Sequence, residues 1–539
     1  NFSGSNGTIL ILQKKIVFFT DGRYTYQAKK QLSKCFLIFD SSKMNIYNWI
    51  KKNLANNKIV IDSKINSIRT TQMFESALFF SKNKIVINDS ILMDQLWIDR
   101  PSEEIRNIYF LPIKYSGLSA KRKLLKVMNS VKKFDSYLIT SPESIAWLLN
   151  LRGNDLLHTP IVFSRMLLEK NKRPKLFINL KKVNDKEKKI FKEIGIDLLS
   201  ENKISSEIKS IKDTNRFALD MDSPYYFYNL IKGRKKNSFF NDPCKNLKAV
   251  KNKCEIKGSV FAHKIDSIAL IKFFYWLENQ RFDNDFNEIS VANKLEDFRR
   301  ENKSFLSLSF PTISASGQNG AIIHYKASEK SNSILKKGNI YLCDSGGQYF
   351  SGTTDVTRTF FLGDDIPHDD YKDLYTRVLI GHINLVKLVF PINTRGVQID
   401  SFARSSLWSI GEDYNHGTGH GVGSFLSVHE GPQSISKSII DVGLKPGMII
   451  SNEPGIYKEK KFGIRIENLV FVKKSKNKNF LEFETLTLAP LEKKLINTNL
   501  MTKSQINWIN DYHKKVYNNV HDYLDSNVKR WLKKKTSKI

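Results

Sequence analysis

The chain has 539 residues, of which 86 are lysine or arginine and 54 are aspartate or glutamate, so its formal net charge is +32. This length exceeds what one hydrophobic core supports, and 41% hydrophobic with 26% charged residues is the balance of a folded protein. A single small domain and a wholly disordered chain are therefore excluded. The absence of any run of about 18 apolar residues also excludes a membrane-spanning helix.

The positive charge is unevenly distributed along the chain. Residues 1–250 carry a net charge of +22 and residues 501–539 carry +6, whereas residues 301–450 carry −1. The basic runs lie among asparagine and isoleucine and are not interleaved with stacking aromatic residues, as a nucleic-acid groove would be. We interpret them as solvated surface, and we expect neither a nucleic-acid nor a membrane partner.

The spacing of the cysteines and the first residues of the chain indicate in which cellular compartment the protein is located. Cys35, Cys244, Cys254 and Cys343 are widely spaced and form no Cys-x-x-Cys pair, so neither a disulfide framework nor a thiolate zinc site is predicted. The segment Asn1–Ser5 has no signal-peptide pattern. We therefore expect a reducing, cytoplasmic location.

The first 250 residues alternate between strand-like and helix-like patterns. Helical patterns occur near Tyr24–Leu32 and from Ser119 onward, and a break at Asp99–Ser102 separates two stretches of similar size. We predict two α/β domains, residues 1–112 and 113–250. Apolar runs predict strands at Ile9–Leu12, Ile16–Phe19, Lys58–Asp62, Lys84–Ile87, Ser136–Thr140, Ile161–Ser164, Lys175–Asn179 and Phe217–Asp220.

A third and largest domain is predicted at residues 251–539. A long amphipathic helix running from Ala249 toward Glu278 marks its beginning. Within it, the apolar run Ile340–Asp344 predicts a strand that points Asp344 to the same side as its core residues. The partner strand Thr354–Phe361 brings Asp355 opposite, and a cation between the two carboxylates would relieve the cost of burying them. For either aspartate taken alone, a turn or cap residue is the favoured interpretation.

A glycine-rich segment, Asn415–Gly423, contains His416 and His420. It lacks the strand–loop–helix context of a dinucleotide site, and its glycines and missing glutamate exclude the helical His-Glu-x-x-His zinc site. We interpret it as a loop that presents imidazoles to a cleft. His324 and His429 lie in the same neutral region, although any one histidine alone could be a hydrogen-bonded structural residue.

Two further carboxylates follow or interrupt apolar runs. Glu453 ends one run directly before Pro454. The segment Phe462–Val470 predicts a strand in which Arg465 and Glu467 share one face. A surface ion pair is the alternative for these two side chains, but the flanking apolar residues make it less attractive.

Taken together, these residues form a candidate metal-binding set of four carboxylates and one imidazole. Four carboxylates balance the charge of two divalent cations, and oxygen-rich ligation favours Mn²⁺ while allowing Co²⁺ or Zn²⁺. Two such cations acidify a bridging water into a hydroxide and polarise a carbonyl, so the predicted chemistry is hydrolysis. The set comprises Asp344, Asp355, His420, Glu453 and Glu467.

The order and spacing of these motifs resemble the pita-bread metallopeptidases. The chain is most similar to the eukaryotic-type, three-domain aminopeptidase P (Xaa-Pro aminopeptidase) family, and the resemblance covers nearly its whole length. The segments that carry the closer resemblance are Thr20–Tyr24, Trp147–Gly153, Ser309–Ser314, Asn319–Tyr325, Asp344–Tyr349, Gly352–Thr359 and Leu486–Pro490.

The resemblance implies two creatinase-like α/β domains followed by a pita-bread catalytic domain with a C-terminal extension. It implies that Asp344 binds one metal, that His420 and Glu453 bind the other, and that Asp355 and Glu467 bridge them. Glu453 is also expected to take the proton of the attacking water. The family's sequence further suggests that Asn1–Ser5 corresponds to a position some tens of residues into the first domain, so we expect that domain's first strand and helix to be missing here.

The family also suggests roles for residues that do not bind metal. His324, His416 and His429 match histidines that are expected to bind the scissile and proline carbonyls and to pass protons to the leaving nitrogen. Arg465 and Tyr457 are expected to steady Asp344.

The activity implied by the resemblance is release of the N-terminal residue from peptides with proline at the second position, by a homodimer. One alternative is a prolidase, which cleaves only Xaa-Pro dipeptides. Another is a metal-free binding module, as in histone chaperones that retain the pita-bread domain but lose the metal ligands. A creatinase-like amidinohydrolase also lacks this ligand set. All five ligands are present in this chain, which favours the peptidase.

Overall fold

The computed structural model describes residues 2–90, 92–102, 104–280 and 286–539. The chain divides into two compact units. The larger unit comprises Asn1–Gly7, Leu12–Ile38 and Ala249–Ile539, and the smaller unit comprises Thr8–Ile11 and Phe39–Lys248. The division into domains at residues 1–112, 113–250 and 251–539 stays a prediction.

Strands and helices alternate through the first 249 residues. The strands are β1 (Thr8–Ile11), β2 (Ile16–Thr20), β3 (Phe36–Asp40), β4 (Lys58–Asp62), β5 (Lys84–Asn88), β6 (Tyr109–Phe110), β7 (Ser136–Ile139), β8 (Leu151–Arg152), β9 (Ser164–Glu169), β10 (Lys175–Ile178), β11 (Asp197–Ser200), β12 (Phe217–Leu219) and β13 (Asn237–Phe239). The helices are α1 (Thr25–Gln31), α2 (Ile46–Asn53), α3 (Ile68–Leu78), α4 (Leu92–Leu96), α5 (Ile113–Ser116), α6 (Ala120–Val131), α7 (Pro142–Leu149), α8 (Asp185–Ile194), α9 (Ile204–Ser210), α10 (Tyr225–Asn229) and α11 (Pro243–Ala249).

The smaller unit is built on a six-stranded sheet with the order β11-β10-β9-β7-β12-β13. Strand β9 is antiparallel to both of its neighbours, while β10–β11 and β7–β12–β13 pair in parallel. The inner strands β10, β7 and β12 are mostly apolar, as expected for strands buried on both faces, whereas β9 also contains Ser164, Arg165 and Glu169. Their side chains, including Leu138, Leu167, Phe177 and Phe217, form one hydrophobic core.

One strand prediction in this region is wrong. The segment Ile161–Ser164 was expected to form a strand, but β9 begins only at Ser164. The backbone before it is held by Asp155, whose carboxylate accepts a hydrogen bond from the Phe163 amide and whose amide donates to the Ile161 carbonyl. These bonds replace the ladder that a strand would need.

The larger unit contains the remaining elements. Its further strands are β14 (Phe305–Leu308), β15 (Ile313–Ser316), β16 (Ile340–Ser345), β17 (Gly347–Tyr349), β18 (Gly352–Thr353), β19 (Val356–Phe361), β20 (Val389–Pro391), β21 (Gly419–His420), β22 (Ser434–Ile435), β23 (Ile449–Asn452), β24 (Gly455–Lys458), β25 (Phe462–Arg465), β26 (Asn468–Lys474) and β27 (Phe480–Thr485). Its further helices are α12 (Lys253–Glu278), α13 (Glu288–Arg300), α14 (Asp369–Val386), α15 (Gly396–Trp408), α16 (Lys503–Val520) and α17 (Ser526–Lys535).

Antiparallel sheets dominate the larger unit, with strand orders β15-β16-β19 and β20-β27-β26-β23. Helix α14 packs against α15, and side chains of α14, α15 and α16 share a core with β16 and β25. Within the described chain, no helix is both long and apolar enough to cross a membrane.

The predicted strand Phe462–Val470 is wrong as a single element. Strand β25 ends at Arg465 and β26 begins at Asn468. The chain changes partners between them, because the Ile466 amide donates to the Pro454 carbonyl and the Glu467 amide donates to the Thr357 carbonyl. Glu467 therefore leaves the strand that would have placed it on the same face as Arg465.

The predicted long helix begins later than Ala249, at Lys253, because Asn252 caps it. The Asn252 side chain accepts hydrogen bonds from the amides of Cys254 and Glu255, and the Glu255 carboxylate accepts one from the Asn252 amide. Such a capping box satisfies helix amides that otherwise lack partners.

We expect Asn252→Ala to lower the free energy of unfolding by about 1 kcal/mol, because the cap is lost. The measurement is urea unfolding followed by circular dichroism. The matched variant Asn252→Ser keeps a capping oxygen and should remain close to the wild type. Equal destabilisation by both variants would show that the cap is not the source of the effect.

Candidate metal centre

The two predicted aspartates lie on neighbouring strands. Asp344 is the fifth residue of β16, and Asp355 immediately precedes β19. The strands pair antiparallel, with Asp344 opposite Thr357 and Ser345 opposite Val356. Both carboxylates are buried and line the same cavity, so the hairpin predicted from the sequence brings them together.

The histidine and the next glutamate lie at the ends of two neighbouring strands. His420 ends the short strand β21, which interrupts the segment predicted to be a loop, and Glu453 directly follows β23. The His420 amide donates to the Ser451 hydroxyl, and the Glu453 amide donates to the Thr418 carbonyl. A Cβ on Gly419 would lie 2.0 Å from the Ser451 carbonyl oxygen. Only glycine therefore lets β21 approach β23 closely enough to place His420 beside Glu453.

The five predicted ligands converge on one cavity of about 620 Å³ in the larger unit. Donor atoms of Asp355, His420 and Glu467 lie within 4.8 Å of one another. His420 Nε2 is 3.5 Å from Asp355 Oδ2 and 3.5 Å from Glu453 Oε1. Asp344 Oδ2 accepts a hydrogen bond from Arg465, while its buried Oδ1 has no hydrogen-bond partner among the described residues.

The imidazole of His420 is oriented for ligation. Its Nδ1 lies 3.0 Å from the Gly421 carbonyl oxygen, so the proton resides on Nδ1 and the Nε2 lone pair faces the carboxylates. Thr357 donates to Glu467 Oε2 at 2.8 Å, which orients that carboxylate in the same way. The arrangement fits hard divalent cations bound by carboxylates and one imidazole.

The electrostatics of the cluster also favour the binding of divalent cations. Burial, together with repulsion from Asp344 and the other carboxylates, raises the pKa of Asp355 and of Glu467 well above their usual values. Burial also raises the pKa of Glu453. Among the described residues, Arg465 is the only arginine or lysine that forms an ion pair with this cluster. Divalent cations would therefore relieve a large excess of negative charge.

Three further histidines border the cavity, as predicted. Burial, followed by the charges of Arg465 and Arg23, lowers the pKa of His324 to about 3. Burial likewise lowers the pKa of His416, and the charge of His420 followed by burial lowers that of His429. All three imidazoles are thus neutral near pH 7, and each can donate one hydrogen bond and accept another.

A hydrogen-bond chain connects Asp344 to one of these histidines. Arg465 donates to the Asp344 carboxylate and to the Tyr457 hydroxyl, each at 2.7 Å. The Tyr457 hydroxyl is 2.9 Å from His416 Nε2, and His416 Nδ1 is 2.8 Å from the Gly417 carbonyl oxygen. Arg465 thus contacts Asp344 directly, whereas Tyr457 contacts Arg465 and His416.

Sequence reasoning missed two contributors to this site. Tyr24 is fully buried, lines the cavity and shares hydrogen bonds with His324 Nδ1 and with the Ser5 hydroxyl. Thr357, which orients Glu467, was also missed. Tyr24 lies in the motif Thr20–Tyr24, which was available as a signal, but no local pattern indicates a contact with a residue 300 positions away.

The chain can now be compared with known proteins. A family model described as metallopeptidase family M24 matches residues 261–474. A probable Xaa-Pro aminopeptidase P of Laccaria bicolor is 38% identical over 563 residues, with 100% of this chain and 87% of that protein aligned. The chain belongs to metallopeptidase family M24. Further models match a creatinase/prolidase N-terminal domain at residues 99–255 and the C-terminal region of M24 peptidases at residues 479–539.

Solved structures agree with this membership. The X-prolyl aminopeptidase of Caenorhabditis elegans, described as a cytosolic enzyme with a di-nuclear active site, superposes with a TM-score of 0.96 at 30% identity, covering 100% of this chain and 91% of that one. A Xaa-Pro dipeptidase of Bacillus anthracis gives 0.56 at 25% identity, covering 69% and 99%. The predicted resemblance and the predicted fold class, creatinase-like α/β domains followed by a pita-bread domain, are confirmed.

Proposed function

We propose that this M24 protein is a metal-dependent Xaa-Pro aminopeptidase that hydrolyses the bond between an N-terminal residue and a following proline. The observation that carries the proposal is the convergence of four carboxylates and one oriented imidazole on a single cavity. Full-length similarity to relatives named Xaa-Pro aminopeptidase supports the substrate class.

We assign the ligands as the family resemblance implies. Asp344 would hold one divalent ion, His420 and Glu453 the other, and Asp355 and Glu467 both. Two bound ions supply an acidified water and polarisation of the scissile carbonyl. We propose Mn²⁺, because oxygen donors outnumber the single nitrogen donor.

The remaining roles follow from the positions and protonation states of the side chains. Glu453 is a suitable acceptor for the proton of the attacking water, because its carboxylate lines the cavity beside His420. Both ring nitrogens of neutral His416 already bond the Gly417 carbonyl and the Tyr457 hydroxyl, so His416 would have to exchange one of these bonds to contact a substrate. His324 and His429 are neutral and can donate a hydrogen bond to a substrate carbonyl. They can also deliver a proton to the proline nitrogen, which has no N–H in the peptide and must gain one on leaving.

Location, assembly and domain organisation are further parts of the proposal. We propose a cytoplasmic homodimer in which residues 1–112 and 113–250 form two N-terminal domains and residues 251–539 form the catalytic domain. A reducing compartment is supported by the four cysteines, none of which forms a disulfide in the described part of the chain: Cys35, Cys244, Cys254 and Cys343. The C. elegans enzyme of similar structure is described as cytosolic.

The test is a comparison of three peptides with the purified, Mn²⁺-loaded protein. We expect release of the N-terminal residue from an Xaa-Pro-Xaa tripeptide, slower cleavage of the Xaa-Pro dipeptide and none of the matching Xaa-Ala-Xaa tripeptide. Cleavage confined to the dipeptide would instead assign a prolidase. No cleavage of any peptide by protein that holds two metal ions would contradict peptidase activity altogether.

A variant of Tyr24 tests the contribution of this buried residue. We expect Tyr24→Phe to lower kcat by about 10-fold with little change in KM, because His324 loses the partner that fixes its ring and tautomer. The matched control is Tyr26→Phe, since the buried Tyr26 hydroxyl has no hydrogen-bond partner among the described residues. Steady-state kinetics at equal metal content is the measurement, and equal kcat values for the two variants would contradict the assigned role.

A further inference from the structure

The smaller unit contains a cavity of about 510 Å³ that takes no part in the proposed reaction. It lies where β11 and β12 end and β9 begins, lined by residues such as Glu201, Pro224 and Ser164. Because β9 runs antiparallel to the other strands, its beginning lies at their carboxyl edge. Ligands of open α/β sheets bind in crevices at this edge.

An arginine in this cavity is incompletely satisfied. Arg165 Nε is buried without a hydrogen-bond partner, and its NH1 group donates to the Ser164 carbonyl at 2.7 Å. Arg165 forms no ion pair with any carboxylate of the described residues. Burial lowers its pKa, but an arginine remains protonated in proteins, so the cavity holds a positive charge without a paired anion.

The other charged groups of the cavity do not neutralise the positive charge of Arg165. Lys64, whose Nζ is 5.6 Å from the Tyr226 ring centroid, adds a second cation and likewise has no ion pair among the described residues. Glu201 is the acidic lining residue, and it is exposed and more than 4 Å from the Arg165 guanidinium. The lining therefore carries a net positive charge.

Aromatic side chains form the remaining walls. Phe163 is 45% exposed although it lies beside the fully buried core residue Phe177. Tyr226 and Phe227 lie on the same cavity. A volume of about 510 Å³ exceeds what an inorganic anion fills, and apolar walls favour a ligand with a hydrophobic body.

We propose that this cavity binds a small organic carboxylate with an aromatic or aliphatic body, its carboxylate on Arg165 and its body against Phe163 and Tyr226. A carboxylate supplies the anion that the positively charged lining lacks, and charge-assisted bonds of this kind are about twice as strong as neutral ones. None of the lining residues belongs to the metal centre, so the site is separate from the proposed peptidase function.

The test is isothermal titration of the metal-loaded, full-length protein with phenylacetate. We expect saturable binding at one site per chain, and binding at least about 10-fold weaker for the neutral isostere 2-phenylacetamide and for inorganic phosphate. The variant Arg165→Gln should lose at least about 10-fold in affinity. The exposed control Arg173→Gln should not.

A second arm separates this site from the metal centre, which can also attract carboxylates. Phenylacetate affinity should be unchanged in Asp355→Asn, a substitution of a proposed metal ligand. The proposal is overturned if the wild type shows no saturable binding, if folded Arg165→Gln or Arg165→Lys binds as tightly as wild type, or if binding is lost in Asp355→Asn. Circular dichroism establishes which variants are folded.

Discussion

Asp355→Asn is expected to lower kcat/KM by at least about 1,000-fold and, at the same time, to raise the unfolding temperature of the metal-free protein. The first effect follows because Asp355 is one of the two carboxylates that we propose would contact both metal ions. The second follows because burial and the neighbouring carboxylates raise the pKa of Asp355 in the folded state. The charged form of Asp355 therefore opposes folding near neutral pH, and a neutral amide removes that cost.

The measurements are steady-state cleavage of an Xaa-Pro-Xaa tripeptide and thermal unfolding with and without Mn²⁺. The matched control is Asp365→Asn, an exposed aspartate shortly after β19, which should change neither quantity. In Asp355→Asn, added Mn²⁺ should raise the unfolding temperature less than in the wild type. Wild-type activity in this variant, or a lower unfolding temperature of its metal-free form, would contradict the assignment of Asp355.

Arg465→Met is expected to destabilise the metal-free protein, whereas Asp355→Asn is expected to stabilise it. Arg465 is 2% exposed and donates to Asp344, Tyr457 and Thr357. Its removal leaves Asp344 buried among other carboxylates without an ion-pair partner. We expect the metal-free protein to lose about 3–5 kcal/mol of stability, the usual cost of breaking a buried pair. Activity of the metal-loaded protein should fall by about 100-fold, because Asp344 and His416 lose their orientation.

Urea unfolding and tripeptide cleavage again provide the measurements. Lys461→Met removes an exposed positive charge from the turn before β25 and serves as the control, with little expected change. Arg465→Lys keeps the charge but not the planar group that donates in several directions, so an intermediate result is expected. Equal stability of wild type and Arg465→Met without metal would contradict an excess of negative charge in the cluster.

Much of the candidate metal centre could be predicted because its proposed ligands follow local rules. Asp344 and Asp355 lie on the two sides of a turn that joins paired antiparallel strands. The two-residue period of a strand, together with the position of the turn, therefore predicts that the two carboxylates lie close together. His420 was predictable as a non-helical residue because the surrounding glycines exclude a helix, although it lies in the short strand β21 and not in a loop. In each case, the information lies within about a dozen residues of the ligand.

The features that were predicted wrongly or missed depend on contacts between residues that are distant in sequence. Glu467 leaves its predicted strand because its amide finds the Thr357 carbonyl, a partner 110 positions away that no local pattern indicates. Tyr24 reaches His324 through the tertiary packing of the larger unit. The unpaired guanidinium of Arg165 could not be inferred from the sequence, because several separate chain segments form its cavity at one edge of the sheet. Glu467 was predicted as a ligand from its residue type, whereas Tyr24 and Arg165 were not singled out, because their roles depend on partners that only the tertiary structure provides.

The most direct test of the account is cleavage of an Xaa-Pro-Xaa tripeptide measured against the number of Mn²⁺ ions bound per chain. Metal is first removed by a chelator and then returned in steps, with bound metal quantified at each step. The account predicts no cleavage by metal-free protein and a rise to full activity as occupancy approaches two. Cleavage by metal-free protein, or no cleavage at an occupancy of two, would contradict it.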